Sequence, residues 1–179
     1  MASSIAEFLQ LVVLALGLVA AVIVDCRSRR IPNVLVFTLA GLGLILSLAS
    51  DGLGGSVASL GGLLVGLGVL LPFWLLGGFG AGDVKLMAAA GAFLGPVPAL
   101  GAAAATLVIG SILALMVACW KLFIGTSLPF SANAVLVLQS PWQSLRGLRG
   151  VRFPYAIAIA MGVLVSLIWS NNLPAWLNA

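Results

Sequence analysis

The sequence predicts an all-α, polytopic integral membrane protein: one transmembrane domain over residues 1–179, with about six transmembrane helices and both termini outside. Of the residues, 63% are apolar and only 7% are charged, too few charges to cover the surface of a soluble domain. The apolar residues form uncharged runs of about 20 residues, the length that crosses a bilayer. Six such runs leave no room for a separate soluble domain.

The predicted segments follow from these runs and from the breaks between them. The first span, residues 4–24, has no basic segment before it and is followed by Arg27-Ser-Arg-Arg30, so we expect it to be retained rather than removed as a signal peptide. The remaining segments are a basic loop at 25–32, a span at 33–50, a turn at 51–55, a span at 56–76, a glycine-rich loop at 77–82, a short helix at 83–94, and spans at 99–120 and 153–170.

Two stretches leave alternatives open. The short helix at 83–94 is too short for a straight span, so it either continues past Gly95-Pro-Val-Pro98 or lies in a water-accessible cleft. The stretch 122–152 is mixed in composition. Its apolar part, 134–138, is interpreted as interfacial or re-entrant, with Trp142 near the headgroups.

The distribution of charge fixes the predicted orientation. With the N-terminus outside and six spans, the loops at 25–32, 77–83 and 121–152 face the cytoplasm, and Glu7 and Asp51 lie outside. Every base then falls on or beside the cytoplasmic face, as the positive-inside rule requires. The bases are Arg27, Arg29, Arg30, Lys85, Lys121, Arg146, Arg149 and Arg152.

The ionisable residues exclude several classes of function. There is no histidine, which removes Ser–His and Cys–His catalysis and His-ligated zinc or haem. Cys26 and Cys119 are too few for a thiolate metal site, so we expect neither a metal nor another cofactor. The net charge of +4 favours contact with anionic membrane lipid rather than nucleic acid.

Asp25 and Asp83 are the candidate catalytic residues. They are far apart in sequence but are predicted at the same inner depth, one ending the first span and the other beginning the short helix. Two facing carboxyl groups can share a proton, so that one activates water while the other hydrogen-bonds a scissile carbonyl. The alternatives are that Asp25 pairs with Arg29 and that Asp83 caps a helix.

The residues around Asp83 form the most informative local string. Gly80 and Gly82 permit a close approach of the backbone, which an extended peptide substrate needs; the alternative is a simple connecting loop. Lys85 has three interpretations: it lowers the pKa of an aspartate, it binds a carboxylate of the substrate, or its side chain simply reaches the headgroups. The small-xxx-small pairs at 62–66 and 91–95 are assigned to helix packing.

Two motifs together resemble a known family. Asp25-Cys-Arg-Ser-Arg-Arg-Ile-Pro-Asn33 and, after two further spans, Gly80-Ala-Gly-Asp83-Val-Lys85 resemble the type IV prepilin peptidases, the Gly-x-Gly-Asp class of membrane aspartic proteases. Phe153-Pro-Tyr-Ala156 is similar to the family's Pro-Tyr/Phe segment in the last span.

The resemblance implies that Asp25 and Asp83 are the catalytic dyad of an endopeptidase in the bacterial inner membrane. The substrate it implies is a prepilin-like protein, whose short basic leader is removed at the cytoplasmic face. Larger members carry a cytoplasmic region with four cysteines and a second, N-methylating activity. This chain starts at its first span without that tetrad, so it resembles the short, peptidase-only form of Flp/Tad-type pilus systems.

Two other classes of function compete with the protease. A proton-coupled transporter would use the same acids as a relay, but transporters place ionisable groups near mid-membrane and often show inverted repeats, and neither pattern is evident here. A non-enzymatic membrane component of a secretion machine would tolerate loss of either aspartate. The sequence names neither the particular prepilin nor the oligomeric state.

Overall fold

The computed structural model describes residues 2–28, 31–76, 80–123 and 155–169, and these residues form helices without a strand. The all-α prediction is confirmed. The helices are α1 (Ala2–Ser28), α2 (Asn33–Leu75), α3 (Ala81–Leu94), α4 (Pro96–Phe123) and α5 (Tyr155–Trp169).

Helix α2 is a hairpin of two helical arms. Only Asp51 (φ −125°, ψ 16°) and Gly52 (φ 59°, ψ −138°) leave helical geometry, and the positive φ at position 52 favours glycine. A Cβ at Gly55 would meet the carbonyl oxygen of Ser47, which shows that the chain folds back here. The predicted turn therefore exists but is tighter than the 51–55 expected, and it separates arms at 33–50 and 53–75.

The six helical segments alternate in direction. Gln10 of α1 donates a hydrogen bond to Ser50 at the hairpin (3.2 Å), which makes α1 antiparallel to the first arm. Antiparallel packing of α4 and α5 follows from the hydrogen bond from Ser166 Oγ to the Pro98 carbonyl (2.6 Å) and from the contact of the Tyr155 ring with Gly110. The end of α1 and the starts of α2, α3 and α5 consequently meet at one end of the bundle.

Helix α3 is the central element, because it contacts α1, α2, α4 and α5. Small side chains allow this close packing, as in membrane helix interfaces generally. The buried residues of α3 are Asp83, Val84, Leu86, Met87, Ala88, Ala89, Ala90, Gly91 and Ala92. Enclosure by protein instead of lipid removes the need for a bilayer-length helix, which explains why a segment of 14 residues suffices.

The glycine pairs pack α3 against the second arm of α2. A Cβ on Gly62 or on Gly91 would collide with the other residue's carbonyl oxygen, and a Cβ on Gly66 would lie 2.6 Å from the Met87 carbonyl oxygen. The assignment to helix packing is confirmed for Gly62, Gly66 and Gly91, whereas Gly95 ends α3 with a positive φ of 77° and a Cβ there would meet nothing within 4 Å.

Three predicted boundaries are wrong. Helix α1 continues through Ser28, so Asp25 belongs to its last turns and not to a loop. The polar residues after Val24 predicted a loop, but their backbone is helical. Helix α3 begins at Ala81, so Gly82 is helical. Helix α4 begins at Pro96 rather than at residue 99, because proline is well suited to the first position of a helix.

Among the described residues, three helices are long and apolar enough to cross a membrane: α1, the hairpin α2, and α4 within residues 96–113. Helix α5 is apolar but shorter. Membrane insertion is thus supported by the length and composition of the helices, whereas six crossings and their orientation stay predictions. The predictions for residues 29–30, 77–79, 124–154 and 170–179, including the alternative that Asp25 pairs with Arg29, lie outside the described residues.

Candidate active site

Asp25 is buried near the C-terminal end of α1, with 6% of its surface exposed. Its Oδ2 accepts a hydrogen bond from the backbone N–H of Ala156, at 3.4 Å. That N–H belongs to the first turn of α5, where backbone donors have no intrahelical partner. The start of α5 therefore supplies a donor to an acid that comes from the other end of the sequence.

Asp83 is buried in the first turn of α3, with 8% of its surface exposed. Its Oδ2 accepts a hydrogen bond from the Gly80 backbone N–H, at 3.0 Å. Gly80, not Asp83, is the N-cap residue, yet the Asp83 side chain does cap the helix. Capping engages one of its two oxygens and fixes the orientation of the carboxyl group.

The two carboxyl groups are brought together across the α1–α3 contact. Both groups are buried at the end of the bundle where α1, α3 and the start of α5 meet, which is a water-poor region. The other two acids, Glu7 and Asp51, are exposed and lie at the far end of the bundle. Of the four acids, only Asp25 and Asp83 combine burial with mutual proximity.

Tyr155 adds a third polar group beside the pair. It directly precedes Ala156, whose backbone N–H donates the hydrogen bond to Asp25. A Cβ on Gly110 would lie 3.3 Å from the Tyr155 Cε1 atom, so the absence of a side chain at position 110 lets the ring rest against α4. The sequence did not assign a role to Tyr155, because only the tertiary structure brings the start of α5 to the two acids.

The glycines before Asp83 serve close packing. A Cβ on Gly80 would lie 2.9 Å from the Asp83 Oδ2 atom, and a Cβ on Gly82 would lie 3.2 Å from the Ile31 Cβ atom. Gly80 therefore leaves space for the carboxyl group, and Gly82 brings the first turn of α3 against the segment that begins α2. Both contacts are short enough that larger residues would displace Asp83.

Gly82→Val is expected to lower the thermal unfolding midpoint, because its side chain would meet Ile31 and push the first turn of α3 away from the segment that begins α2. Thermal unfolding of the detergent-purified variants measures the effect. Gly68→Val, at a site with nothing within 4 Å of the added Cβ, is the control; a Gly82→Val protein as stable as wild type would contradict the packing argument.

Lys85 joins α3 to the start of α2. Its Nζ atom donates a hydrogen bond to Asn33 Oδ1 at 3.0 Å and lies 5.9 Å from the centre of the Phe37 ring, within the range of a cation–π contact. The ammonium group thus has partners within the protein, whereas the sequence allowed a side chain that merely reaches the headgroups. Asn33 was part of the first motif but had no role assigned to it.

The arrangement suits proton transfer between two carboxyl groups. The described residues contain no cluster of three or more His, Cys, Asp or Glu side chains able to hold a metal ion. Two buried acids on separate helices, each held by a backbone N–H, can share a proton and polarise a water molecule. Within the described part of the chain, this is the site that the structure offers for acid–base chemistry.

Fold and site together define an all-helical membrane protein with a pair of buried carboxyl groups at one end of its bundle. Residues 12–170 match the family model of the type IV leader peptidases. This match covers most of the chain, and the protein belongs to the type IV leader peptidase family. No curated protein and no solved structure shows significant similarity to the chain. Membership of the family supports a leader peptidase function in general.

Proposed function

We propose that this protein is an aspartic endopeptidase that removes the short basic leader from type IV prepilin-like proteins at the cytoplasmic face of the bacterial inner membrane. Asp25 and Asp83 are its catalytic residues. The observation that carries the proposal is the burial of these two carboxyl groups at the end of the bundle where α1, α3 and α5 contact one another. They are the two acids of the two motifs that resemble the Gly-x-Gly-Asp proteases.

In the proposed reaction one carboxyl group acts as a general base and the other as a general acid. The ionised one takes a proton from a water molecule, whose oxygen attacks the scissile carbonyl carbon. The protonated one hydrogen-bonds the carbonyl oxygen and stabilises the tetrahedral intermediate. Collapse of the intermediate breaks the C–N bond, and a carboxyl group delivers the proton to the leaving amine.

The position of the site supports cleavage at the membrane rim. Asp25 is followed within two residues by Arg27, and Asp83 within two residues by Lys85, so bases accompany both acids at the same end of the bundle. The positive-inside rule assigns such an end to the cytoplasm. A substrate with a cytoplasmic leader and an apolar helix would present its junction at this depth.

The test is an incubation of the purified protein with a prepilin-like substrate, with the loss of the leader followed on a gel and the cut site located by mass spectrometry. We expect one cut at the end of the leader, with no added metal or cofactor. Cleavage by the wild-type protein separates an enzyme from a structural component of a secretion machine, which would not cleave at all. The same assay on the Asp25 and Asp83 variants tests whether these residues are catalytic. Cleavage that persists after either aspartate is changed would refute the catalytic assignment.

A further inference from the structure

The first turn of α3 is held on one side by the beginning of α2. Gly82 packs against Ile31, and Lys85 hydrogen-bonds Asn33 and lies over Phe37. Since successive residues of an α-helix are rotated by about 100°, Gly82 and Lys85 lie about 60° apart around α3. They form one contact face, which is directed at α2.

Asp83 lies on a different side of the same turn. It is rotated by about 100° from Gly82, and its carboxyl group is buried in the bundle, where α3 also contacts α1 and α5. Any rotation of α3 about its axis would move Asp83 relative to Asp25. The face formed by Gly82 and Lys85 is therefore placed where it can set that rotation.

The same contact ties α3 to the chain segment that follows Asp25. Ile31 and Asn33 lie six and eight residues after Asp25, and the structure returns them to α3 beside Asp83. Gly82 provides close packing without direction, whereas the hydrogen bond between Lys85 and Asn33 requires defined positions of both side chains. This bond is the directional part of the contact.

We propose that Lys85 and Asn33 are a pair of positioning residues that fixes the rotation of α3 and so holds Asp83 toward Asp25. The inference rests on the proposed aspartic peptidase function. Lys85 acts through Asn33 in this arrangement, and neither side chain needs to contact the substrate. Loss of either partner should misorient Asp83, which lowers the rate of the chemical step more than it weakens substrate binding.

The test is a double-mutant cycle with Lys85→Met, Asn33→Leu and the double variant, measured as kcat and KM for leader cleavage. Each single change should lower kcat about 10-fold or more, since small misplacements of reacting groups have large effects, with KM within about 2-fold. The double variant should be no slower than the slower single variant, because both remove the same bond. Asn33→Asp, which keeps an acceptor for Lys85, should retain at least about half of the kcat.

Thr38→Val is the control for removing a polar group from the same arm, since Thr38 is exposed and, among the described residues, bonds only to carbonyl oxygens of its own helix. Rates are normalised to folded protein recovered by gel filtration. Where the leucine variant is not recovered folded, Asn33→Ser, too short to reach Lys85, takes its place with the same criteria.

Two results would overturn the positioning role. One is an Asn33→Leu enzyme with unchanged kcat beside a Lys85→Met enzyme with raised KM, which would make Lys85 a substrate contact. The other is a double variant whose loss is the product of the single losses, which would make the two roles independent. The Asp25→Asn and Asp83→Asn enzymes are assayed in parallel. Leader cleavage by either of them would refute the proposed function itself. If both are inactive while Asn33→Leu has a normal kcat, only the positioning role of Lys85 and Asn33 is refuted.

Discussion

Asp25→Asn and Asp83→Asn are each expected to lower leader cleavage about 10²- to 10⁴-fold, the range for loss of a general acid or base, while the protein still folds in the membrane. Asparagine keeps the shape of the side chain and can still accept the bond from Ala156 or Gly80, but it cannot take up or release a proton near neutral pH. Each change therefore removes proton transfer with little disturbance of the packing. Single-turnover cleavage of a prepilin-like substrate in detergent measures the loss.

Asp51→Asn is the matched control for this experiment. It makes the same chemical change at an exposed acid in the hairpin of α2, at the opposite end of the bundle. We expect wild-type cleavage from it. Substantial cleavage by either the Asp25 or the Asp83 variant would show that the two carboxyl groups do not form a catalytic pair, whatever their proximity.

Gly62→Val is expected to prevent stable folding or to lower the thermal unfolding midpoint strongly. A Cβ at this position would lie 2.9 Å from the carbonyl carbon of Gly91 and 2.8 Å from that of Gly95. These are backbone atoms, which cannot rotate away, so the second arm of α2 would have to separate from α3. Overpacking at such contacts typically costs about 1–3 kcal/mol and in rigid sites more, and here it would also displace the helix that carries Asp83.

The neighbouring residue gives the control. A Cβ on Gly61 would lie 3.7 Å from Pro96 side-chain atoms, an ordinary van der Waals distance, so Gly61→Ala should leave the unfolding midpoint nearly unchanged. Fluorescence-monitored thermal unfolding and gel filtration in detergent compare the variants. A Gly62→Val protein as stable as wild type would show that α2 and α3 do not pack at this distance.

Much of the fold was predictable because composition acts locally. Long uncharged runs predict the helices, and the break at Asp51-Gly52 predicts the hairpin, since glycine adopts the positive φ that the turn requires. The helix boundaries near the site were less predictable. The polar run after Val24 predicted a loop, yet the helix continues through Ser28 and buries Asp25. The backbone N–H of Ala156 in α5 donates a hydrogen bond to the buried carboxyl group.

The partners of the site residues were not predictable from local sequence. In a membrane helix the face toward lipid and the face toward protein are both apolar, so no amphipathic pattern reveals the rotation of a helix about its axis. Lys85 consequently had several interpretations until the structure placed it on Asn33 and Phe37. Tyr155 and the N–H of Ala156 lie 130 or more residues after Asp25, and no local signal connects them to it.

The sequence by itself determined the helical class and the two motifs that contain Asp25 and Asp83. It could do so because hydrophobicity, charge and the backbone freedom of glycine are properties of short segments. Only the tertiary structure decided which faces meet, that a helix as short as α3 can occupy the centre, and which backbone and side-chain groups hold each acid. Those outcomes depend on the rotation of each helix about its axis and on the distances between helices. Contacts among glycines and alanines that are far apart in the sequence determine both.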